Sequence, residues 1–208
     1  YIRCYWKIEN KKKNVQQYTI FPDGFFDLLI CYHNDKLENV FLSGLWNHKT
    51  KVIISPETTI YGIQLRLIAV ENIIQENISS LLNKITRLDK TYLRLDEFNK
   101  NSDHCLFEYL NKCLLSSIKE QEIIDSRKSV LLKSINQTKG NKTVEYYSQQ
   151  ANWSKRQINR YFQSTFGLSL KRYCNIRRGA STYSQIKNGE LYPLEGYFDQ
   201  SHFIKGIK

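Results

Sequence analysis

Residues 144–166 read VEYYSQQANWSKRQINRYFQSTF, and their pattern predicts two short helices joined by a tight turn. The first helix is expected to run from Val144 to about Ala151, with Asn152 in the turn. Ser154 stands where the second helix should begin, and a serine hydroxyl there can accept a hydrogen bond from a free backbone N–H. The stretch therefore predicts a helix-turn-helix unit.

The second of these helices is expected to be amphipathic. Ile158, Tyr161 and Phe162 recur at helical spacing and should face inward. The opposite face carries no carboxylate, whereas a helix that is merely solvated usually mixes glutamate with lysine. Arginine binds phosphates and guanine edges, and asparagine or glutamine can bind adenine edges, so this face suits the major groove of DNA. Its polar residues are Arg156, Asn159, Arg160 and Gln163.

The charge of the chain is placed unevenly. The formal net charge is +11, but residues 1–126 carry equal numbers of basic and acidic side chains. The whole excess therefore falls in residues 127–208. A basic surface with no partner would more often spread its charge over the chain. A basic half beside a neutral half predicts that one unit meets a polyanion such as nucleic acid.

The chain up to about Val70 predicts β-strands, because aromatic and β-branched runs alternate with turn residues such as Pro22, Asp23 and Gly24. Several short strands with such turns are typical of a small antiparallel barrel or sandwich. After Val70 the apolar residues follow a helical period, which predicts a helix. These residues are Ile73, Ile74, Ile78, Leu81, Leu82 and Ile85.

A further helix is predicted over residues 102–118, SDHCLFEYLNKCLLSSI, with Ser102 or Asp103 as its N-cap. Cys105 and Cys113 are expected on its apolar side, packed in the core. The five cysteines of the chain form no CxxC pair, and their odd number and wide spacing favour reduced thiols in a cytoplasmic protein.

Two ordered motifs near the end of the chain resemble the AraC/XylS family of transcription regulators. Residues 147–178, YSQQANWSKRQINRYFQSTFGLSLKRYCNIRR, resemble that family's first helix-turn-helix and linker helix. Residues 196–208, GYFDQSHFIKGIK, are similar to the segment that begins the recognition helix of its second helix-turn-helix. The matching positions are Ser148, Ser154, Ile158, Arg160, Phe162, Arg177 and Arg178 in the first motif, and Gly196, Asp199, Gln200, Ser201, His202 and Phe203 in the second.

The resemblance implies roles for particular residues. The first motif would read one major groove, and the second would approach the next groove through Gln200, Ser201, His202 and Lys205. Phosphate contacts would come from Lys155, Lys171, Arg172, Arg177 and Arg178, with Arg177 also bracing the two motifs. Two positions depart from the family pattern: Lys205 stands where arginine is common, and Pro193 interrupts the segment before the second motif.

The N-terminal half is similar to an uncharacterised cupin-like domain found ahead of AraC-type DNA-binding regions. The similarity rests on FPDGFFDLLI, residues 21–30, and on the strand GIQLRL, residues 62–67. In that family such domains bind a small molecule or dimerise. Residues that could line a pocket are Asp23, Asp27, His33, Trp46, His48, Gln64 and Arg66, although each residue type is more common as a turn, surface or core residue.

Taken with the resemblance, the sequence predicts an α+β fold with a division at residue 126. Residues 1–126 would form a β-barrel or sandwich with a helical extension, and residues 127–208 an all-α double helix-turn-helix. The expected partners are double-stranded DNA, a small-molecule effector, RNA polymerase and a second copy of the chain. A β-barrel enzyme with an accessory DNA-binding tail, and an adaptor for RNA or an acidic partner, stay open as alternatives.

Enzymatic and membrane functions receive little support from the sequence. Asp199, Ser201 and His202 lack the nucleophile elbow of a hydrolase. The histidines do not follow the metal-binding cupin pattern, and no phosphate-binding glycine loop is present, so neither metal nor cofactor is expected. No run of about 18 apolar residues occurs, and no secretory leader is visible. Because methionine is absent and residue 1 is tyrosine, we expect the sequence to be a fragment.

Overall fold

The computed structural model describes residues 1–95, 103–116 and 125–188. These residues form a mixed α+β fold, in which antiparallel strands come first and helices follow. The strands are β1 Ile2–Asn10, β2 Gln16–Ile20, β3 Phe26–His33, β4 Lys36–Ser43, β5 Thr50–Ile54, β6 Thr58–Leu65 and β7 Ile85–Leu88. The helices are α1 Asp103–Ser116, α2 Ser126–Gln137, α3 Val144–Gln150, α4 Lys155–Phe166, α5 Leu170–Ser181 and α6 Tyr183–Lys187. The predicted α+β class is confirmed at this level.

The strands form two antiparallel sheets. The larger has the order β1-β6-β3-β4-β7, and β2 pairs with β5 in a separate ribbon. Because side chains alternate across a strand, the register divides the larger sheet into two faces. Asp27 pairs with Gln64 on the face toward the ribbon, whereas the next pair, Leu28 and Ile63, lies on the face toward the helices.

One hydrophobic core joins the sheet to the helices. Leu28 and Ile63 of the sheet belong to the same buried cluster as Leu106 of α1, Leu131 of α2 and Phe162 of α4. All five are 0% exposed. The core therefore continues from the strands into the helical part, and the division at residue 126 stays a prediction.

The helix predicted after Val70 is wrong. The chain makes one π-helical turn, Val70–Ile74, and one 3-10 turn, Ser79–Leu81, before β7 pairs with the edge of β4. Gln75 has a φ of 58°, which ends the first turn. Tertiary contacts override the local period here, since the backbone N–H of Ile78 donates to the carbonyl of Thr165 in α4 at 2.9 Å.

Helix α1 occurs where the sequence predicts it, but its cysteines lie differently from the prediction. Leu106, Leu110 and Leu114 form its buried row. Cys105 is exposed and Cys113 is partly exposed, so the prediction that both pack in the core is wrong. The cysteines flank the row because the i, i+4, i+8 leucines already occupy the inward face. The proposed cap Ser102 lies outside the described residues.

Candidate nucleic-acid interface

Helices α3 and α4 form a pair joined by a tight turn. Thr143 caps α3, and its hydroxyl accepts from the backbone N–H of Tyr146. Within the turn, Asn152 takes a left-handed φ of 46°. Ser148 donates from its hydroxyl to the carbonyl of Trp153 at 2.7 Å, which fixes the exit from α3.

The start of α4 is held by a capping box. The Ser154 hydroxyl accepts from the backbone N–H of Gln157, and the Gln157 side chain accepts from the backbone N–H of Ser154. Each of these two side chains accepts from a backbone N–H that the start of a helix otherwise leaves without a partner. The predicted cap at Ser154 is confirmed, so α4 begins at a fixed position.

The inner face of α4 is anchored from several directions. Ile158, Phe162 and Phe166 are 0% exposed. The Tyr161 hydroxyl donates to Glu71 at 2.8 Å, and Lys128 of α2 forms an ion pair with the same carboxylate at 2.7 Å. Burial raises the pKa of the Tyr161 phenol, so it stays a donor. These contacts tie α4 to the strand-rich part of the chain as well as to α2.

The outer face of α4 presents polar side chains to solvent. Arg156, Arg160 and Gln163 are exposed, as their spacing predicts. Asn159 is partly buried, and its side-chain oxygen accepts from the backbone N–H of Leu170 at 3.3 Å. Asn159 therefore positions α5. Because an amide oxygen can accept a second hydrogen bond, the contact of Asn159 with an adenine edge stays a prediction.

Further basic side chains lie on the neighbouring elements. Lys155 is exposed and forms an ion pair with Glu145 of α3. Lys171 and Arg172 are exposed in the first turn of α5, which the Asn159 bond holds beside α4. Glu145 is the sole acidic residue in the sequence from 127 to 188, so this surface is strongly positive.

Two arginines predicted to contact phosphate are already engaged. Arg178 is partly buried and donates to Asn175 at 2.6 Å. Arg177 donates to the backbone carbonyl of Asp23 at 2.7 Å, and its guanidinium lies 4.2 Å from the centre of the Phe25 ring. The structure therefore places Arg177 against the strand-rich part of the chain and not on the exposed basic face.

Residues 21–25, which we call the clamp turn, are held by three side chains of α5 and α6. Besides Arg177, Tyr173 donates to the carbonyl of Gly24 at 2.9 Å, and Tyr183 donates to that of Pro22 at 2.6 Å. Gly24 has a φ of +77°, and a Cβ there would collide with Arg177. The sequence predicts the turn itself but not its helical partners, since the contacts span about 150 residues.

The predicted second motif belongs to residues 196–208, outside the part of the chain that the structure describes. Gln200, Ser201, His202 and Lys205 lie outside the described residues, as does Pro193. Their contribution to any interface stays a prediction.

A cavity lies between the larger sheet and the β2–β5 ribbon. Its volume is about 840 Å³. Its wall includes Asp23, Asp27, His33, Trp46 and Gln64, which are five of the seven predicted pocket residues.

The other two predicted pocket residues lie elsewhere. His48 is exposed on a loop, and Arg66 lines a smaller cleft next to α2. Trp6 also lines the main cavity, although no motif in the sequence indicates it. Only the pairing of β1 with β6, which sets Trp6 opposite Gly62, brings it there.

Two carboxylates in this wall have unlike surroundings. Asp23 accepts from the backbone N–H of Phe25 at 3.0 Å and from Gln64 at 2.8 Å, and Arg3 lies 3.7 Å away. Asp27 accepts from the indole N–H of Trp6 at 3.0 Å. Burial raises the pKa of both groups, that of Asp27 to about 7, while these donors act in the opposite direction.

Within residues 1–95, 103–116 and 125–188, no three His, Cys, Asp or Glu side chains converge as a metal site. None of the helices described is long and apolar enough to cross a bilayer.

Comparison with known proteins gives one family match and one structural likeness. The family described as Domain of unknown function (DUF6597) matches residues 1–87. No curated protein is significantly similar in sequence to the chain. The fold is similar to that of ToxT from Vibrio cholerae, solved at 1.65 Å, with 11% identity, a TM-score of 0.49, and coverage of 99% of this chain and 92% of that chain. The expected uncharacterised N-terminal domain therefore corresponds to a family of unknown function, and its cupin-like nature stays a prediction.

Proposed function

We propose that the chain is a sequence-specific DNA-binding transcription regulator of the AraC type, in which α3 and α4 form a helix-turn-helix and α4 reads a major groove. The observation that carries this proposal is the outer face of α4. Arg156, Arg160 and Gln163 are exposed there on a capped helix, with no carboxylate on the same face. Such side chains make the common hydrogen bonds to guanine and adenine edges.

The rigidity of α4 supports the same function. A reading helix must hold its side chains in a fixed register, and sites on well-packed elements do so better than sites on loops. Here the Ser154 capping box fixes the start of the helix, Phe162 anchors its middle, and Asn159 fixes the neighbouring α5. In helix-turn-helix proteins the first helix crosses the DNA backbone while the second enters the groove, and we propose these places for α3 and α4.

The basic residues around α4 are proposed as phosphate contacts. Lys155, Lys171 and Arg172 are exposed next to its outer face and would fix the register on DNA without reading sequence. Arg178 would add to them from α5, because its partner Asn175 is an exposed side chain that a phosphate can replace. Arg177 is left out, because its guanidinium is engaged by the clamp turn.

The second motif would extend the contact along one face of the duplex. Gln200, Ser201, His202 and Lys205 are proposed to approach the next major groove, about 34 Å away. The strand-rich part is proposed to be cupin-like and to sense a small molecule or dimerise. RNA polymerase is a proposed partner, and the cytoplasm the proposed location.

The test uses duplexes selected from a random pool by the full chain. Arg160→Ala should weaken binding to a selected duplex by about 1–3 kcal/mol at fixed salt, measured by fluorescence anisotropy, because a bidentate base contact is lost. Binding to an unselected duplex should change far less. Arg87→Ala is the matched control, since it removes the same exposed charge from β7.

Each outcome has a definite meaning. Equal loss on selected and unselected duplexes would make Arg160 a phosphate contact and reject its reading role. Failure to enrich any duplex, or tighter binding to RNA of the same sequences, would overturn the proposed function in favour of an adaptor.

A further inference from the structure

The cavity between the sheets is acidic, although the chain as a whole is basic. Three carboxylates line it, those of Asp23, Asp27 and Glu38. Among the residues that the structure describes, no lysine or arginine lines the cavity. A ligand that enters the cavity therefore meets carboxylates at its wall, while Arg3, 3.7 Å from Asp23, is not part of the lining.

Asp27 is the carboxylate that most needs a partner. Its neighbour Asp23 has two hydrogen-bond donors and Arg3 at 3.7 Å. Asp27 receives one hydrogen bond, from Trp6, and no cation of the described residues lies within ion-pair distance of it. A recessed carboxylate without a cation is costly, which agrees with the rise in the pKa of Asp27 to about 7.

The position of Asp27 is set by rigid neighbours. The Trp6 indole lies directly on Gly62 of β6, where a side chain of any size would collide with it. The backbone N–H of Asp27 donates to the buried Ser43 hydroxyl at 2.7 Å. The carboxylate is therefore held in the wall by its bond to an indole that is itself fixed.

The rest of the wall suits an apolar body. Its volume of about 840 Å³ falls within the usual range for small-molecule sites, about 300–1,000 Å³. Aromatic rings can bind a cation through their faces as well as an apolar group through their area. Those that line the cavity are Trp6, Tyr18, Phe21, Phe41 and Trp46.

We propose that this cavity binds an organic cation, a protonated amine carried on an apolar or aromatic body. The ammonium group would pair with Asp27, with Asp23 close by, and the body would lie among the aromatic rings. The proposal deepens the proposed function by giving the chemical class of the effector, and it rests on that function only for the regulatory consequence.

The experiment compares three probes of nearly the same shape on the full chain: phenethylamine, phenethyl alcohol and hydrocinnamate. Binding is followed by calorimetry and by quenching of tryptophan fluorescence, since Trp6 and Trp46 line the cavity. The amine should bind with a Kd of about 1 mM or below, and the alcohol and the carboxylate at least about 10-fold more weakly.

Two variants locate the cation. Asp27→Asn keeps the shape of the side chain and should weaken amine binding by about 10-fold or more, because the charge-assisted bond is lost. Asp35→Asn is the matched control, as Asp35 is an exposed turn residue with a φ of 59° that asparagine tolerates, and it should leave the affinity unchanged. Circular dichroism verifies that both variants fold.

The outcomes separate this inference from the proposed function. No saturable amine binding, equal binding of the alcohol or the carboxylate, or unchanged affinity in Asp27→Asn would each overturn the cation site. DNA binding measured without amine tests the proposed function alone. If the amine binds as expected while no duplex is selected, the cavity proposal stands and the regulatory one falls.

Discussion

The cavity and the outer face of α4 treat charge in opposite ways. The cavity places Asp27 in its wall, where burial raises the pKa of the carboxyl to about 7. Helix α4 turns Arg156 and Arg160 outward, where water solvates them until a partner arrives. The net charge of +11 conceals this contrast. A partly buried charge lowers the stability of the protein until a ligand pairs with it, whereas an exposed charge has little effect on stability. The two surfaces should therefore respond differently to substitution.

The two regions are nevertheless joined by side chains of α4 and α5. Asp23 lines the cavity with its carboxylate, while its backbone carbonyl accepts from Arg177 of α5. Glu71, which follows the strands, accepts from Tyr161 of α4. Asp23 therefore contacts both the cavity and α5, so a change in the cavity wall at this residue also changes a contact of the helical part.

The largest expected effect is on the shared core. Phe162→Ala should destabilise the protein by about 3–5 kcal/mol, because it removes a ring that is 0% exposed. Because the core is continuous, far-UV circular dichroism and tryptophan fluorescence should report one coincident transition in urea.

Gln163→Ala is the control on the exposed side of the same helix and should change stability by less than about 0.5 kcal/mol. If Phe162→Ala lowers the urea midpoint of the helices while the strands keep their wild-type midpoint, the two regions unfold separately. The cavity and the basic face would then belong to separate domains.

The next effect concerns the clamp turn. Arg177→Ala should cost about 1–3 kcal/mol, because it leaves the Asp23 carbonyl without its donor and removes a cation from the Phe25 ring. Urea denaturation measures the loss. Arg172→Ala, an exposed position on the same helix, should have little effect on stability but should weaken DNA binding. If Arg177→Ala instead weakens DNA binding and leaves the stability unchanged, Arg177 contacts phosphate and does not hold the clamp turn.

A smaller effect, with the opposite sign, is expected in the cavity. The pKa of Asp27 rises from 3.8 to about 7 on folding, so the folded state holds its proton more tightly between those values. Stability is therefore lost as the pH rises through this window, and Asp27→Asn should avoid the loss. Without ligand, the variant should be more stable by about 1–2 kcal/mol at pH near 8 and about equal to wild type at pH near 4.

The groups that face Asp27 set the size of that effect. Asp23 raises its pKa, while Trp6 and Arg3 lower it. Thermal denaturation of both proteins across this pH range gives the measurement. A variant that is less stable than wild type at high pH would show that Asp27 is already paired, and the contrast with α4 would disappear.

The smallest effect on stability is expected at Lys155. Its ion pair with Glu145 is exposed, so Lys155→Gln should change the free energy of unfolding by less than about 0.5 kcal/mol. If Lys155 contacts phosphate, the slope of log affinity against log salt concentration should become shallower by about 1 in the variant. Affinities measured over a series of salt concentrations test this, and an unchanged slope would remove Lys155 from the interface.

Much of the helical part could be predicted because its signals are local. The cap at Ser154 and the inward positions of Ile158 and Phe162 follow from helical spacing within twelve residues of α4. The same reasoning is wrong after Val70, where apolar spacing predicts a helix and the chain instead continues to β7. There the edge of β4 offers hydrogen bonds that a local period cannot reveal.

By itself, the sequence determined the α+β class, the polar outer face of α4 and the concentration of positive charge after residue 126. Each depends on neighbours along the chain or on composition. Only the tertiary structure decided that Trp6 meets Asp27 in a cavity, that Arg177 holds the clamp turn and that Asn159 positions α5. The first two contacts depend on strand register and helix docking across long stretches of chain, and the third on how α5 folds back against α4. Packing of the whole core sets that geometry, and no local pattern encodes it.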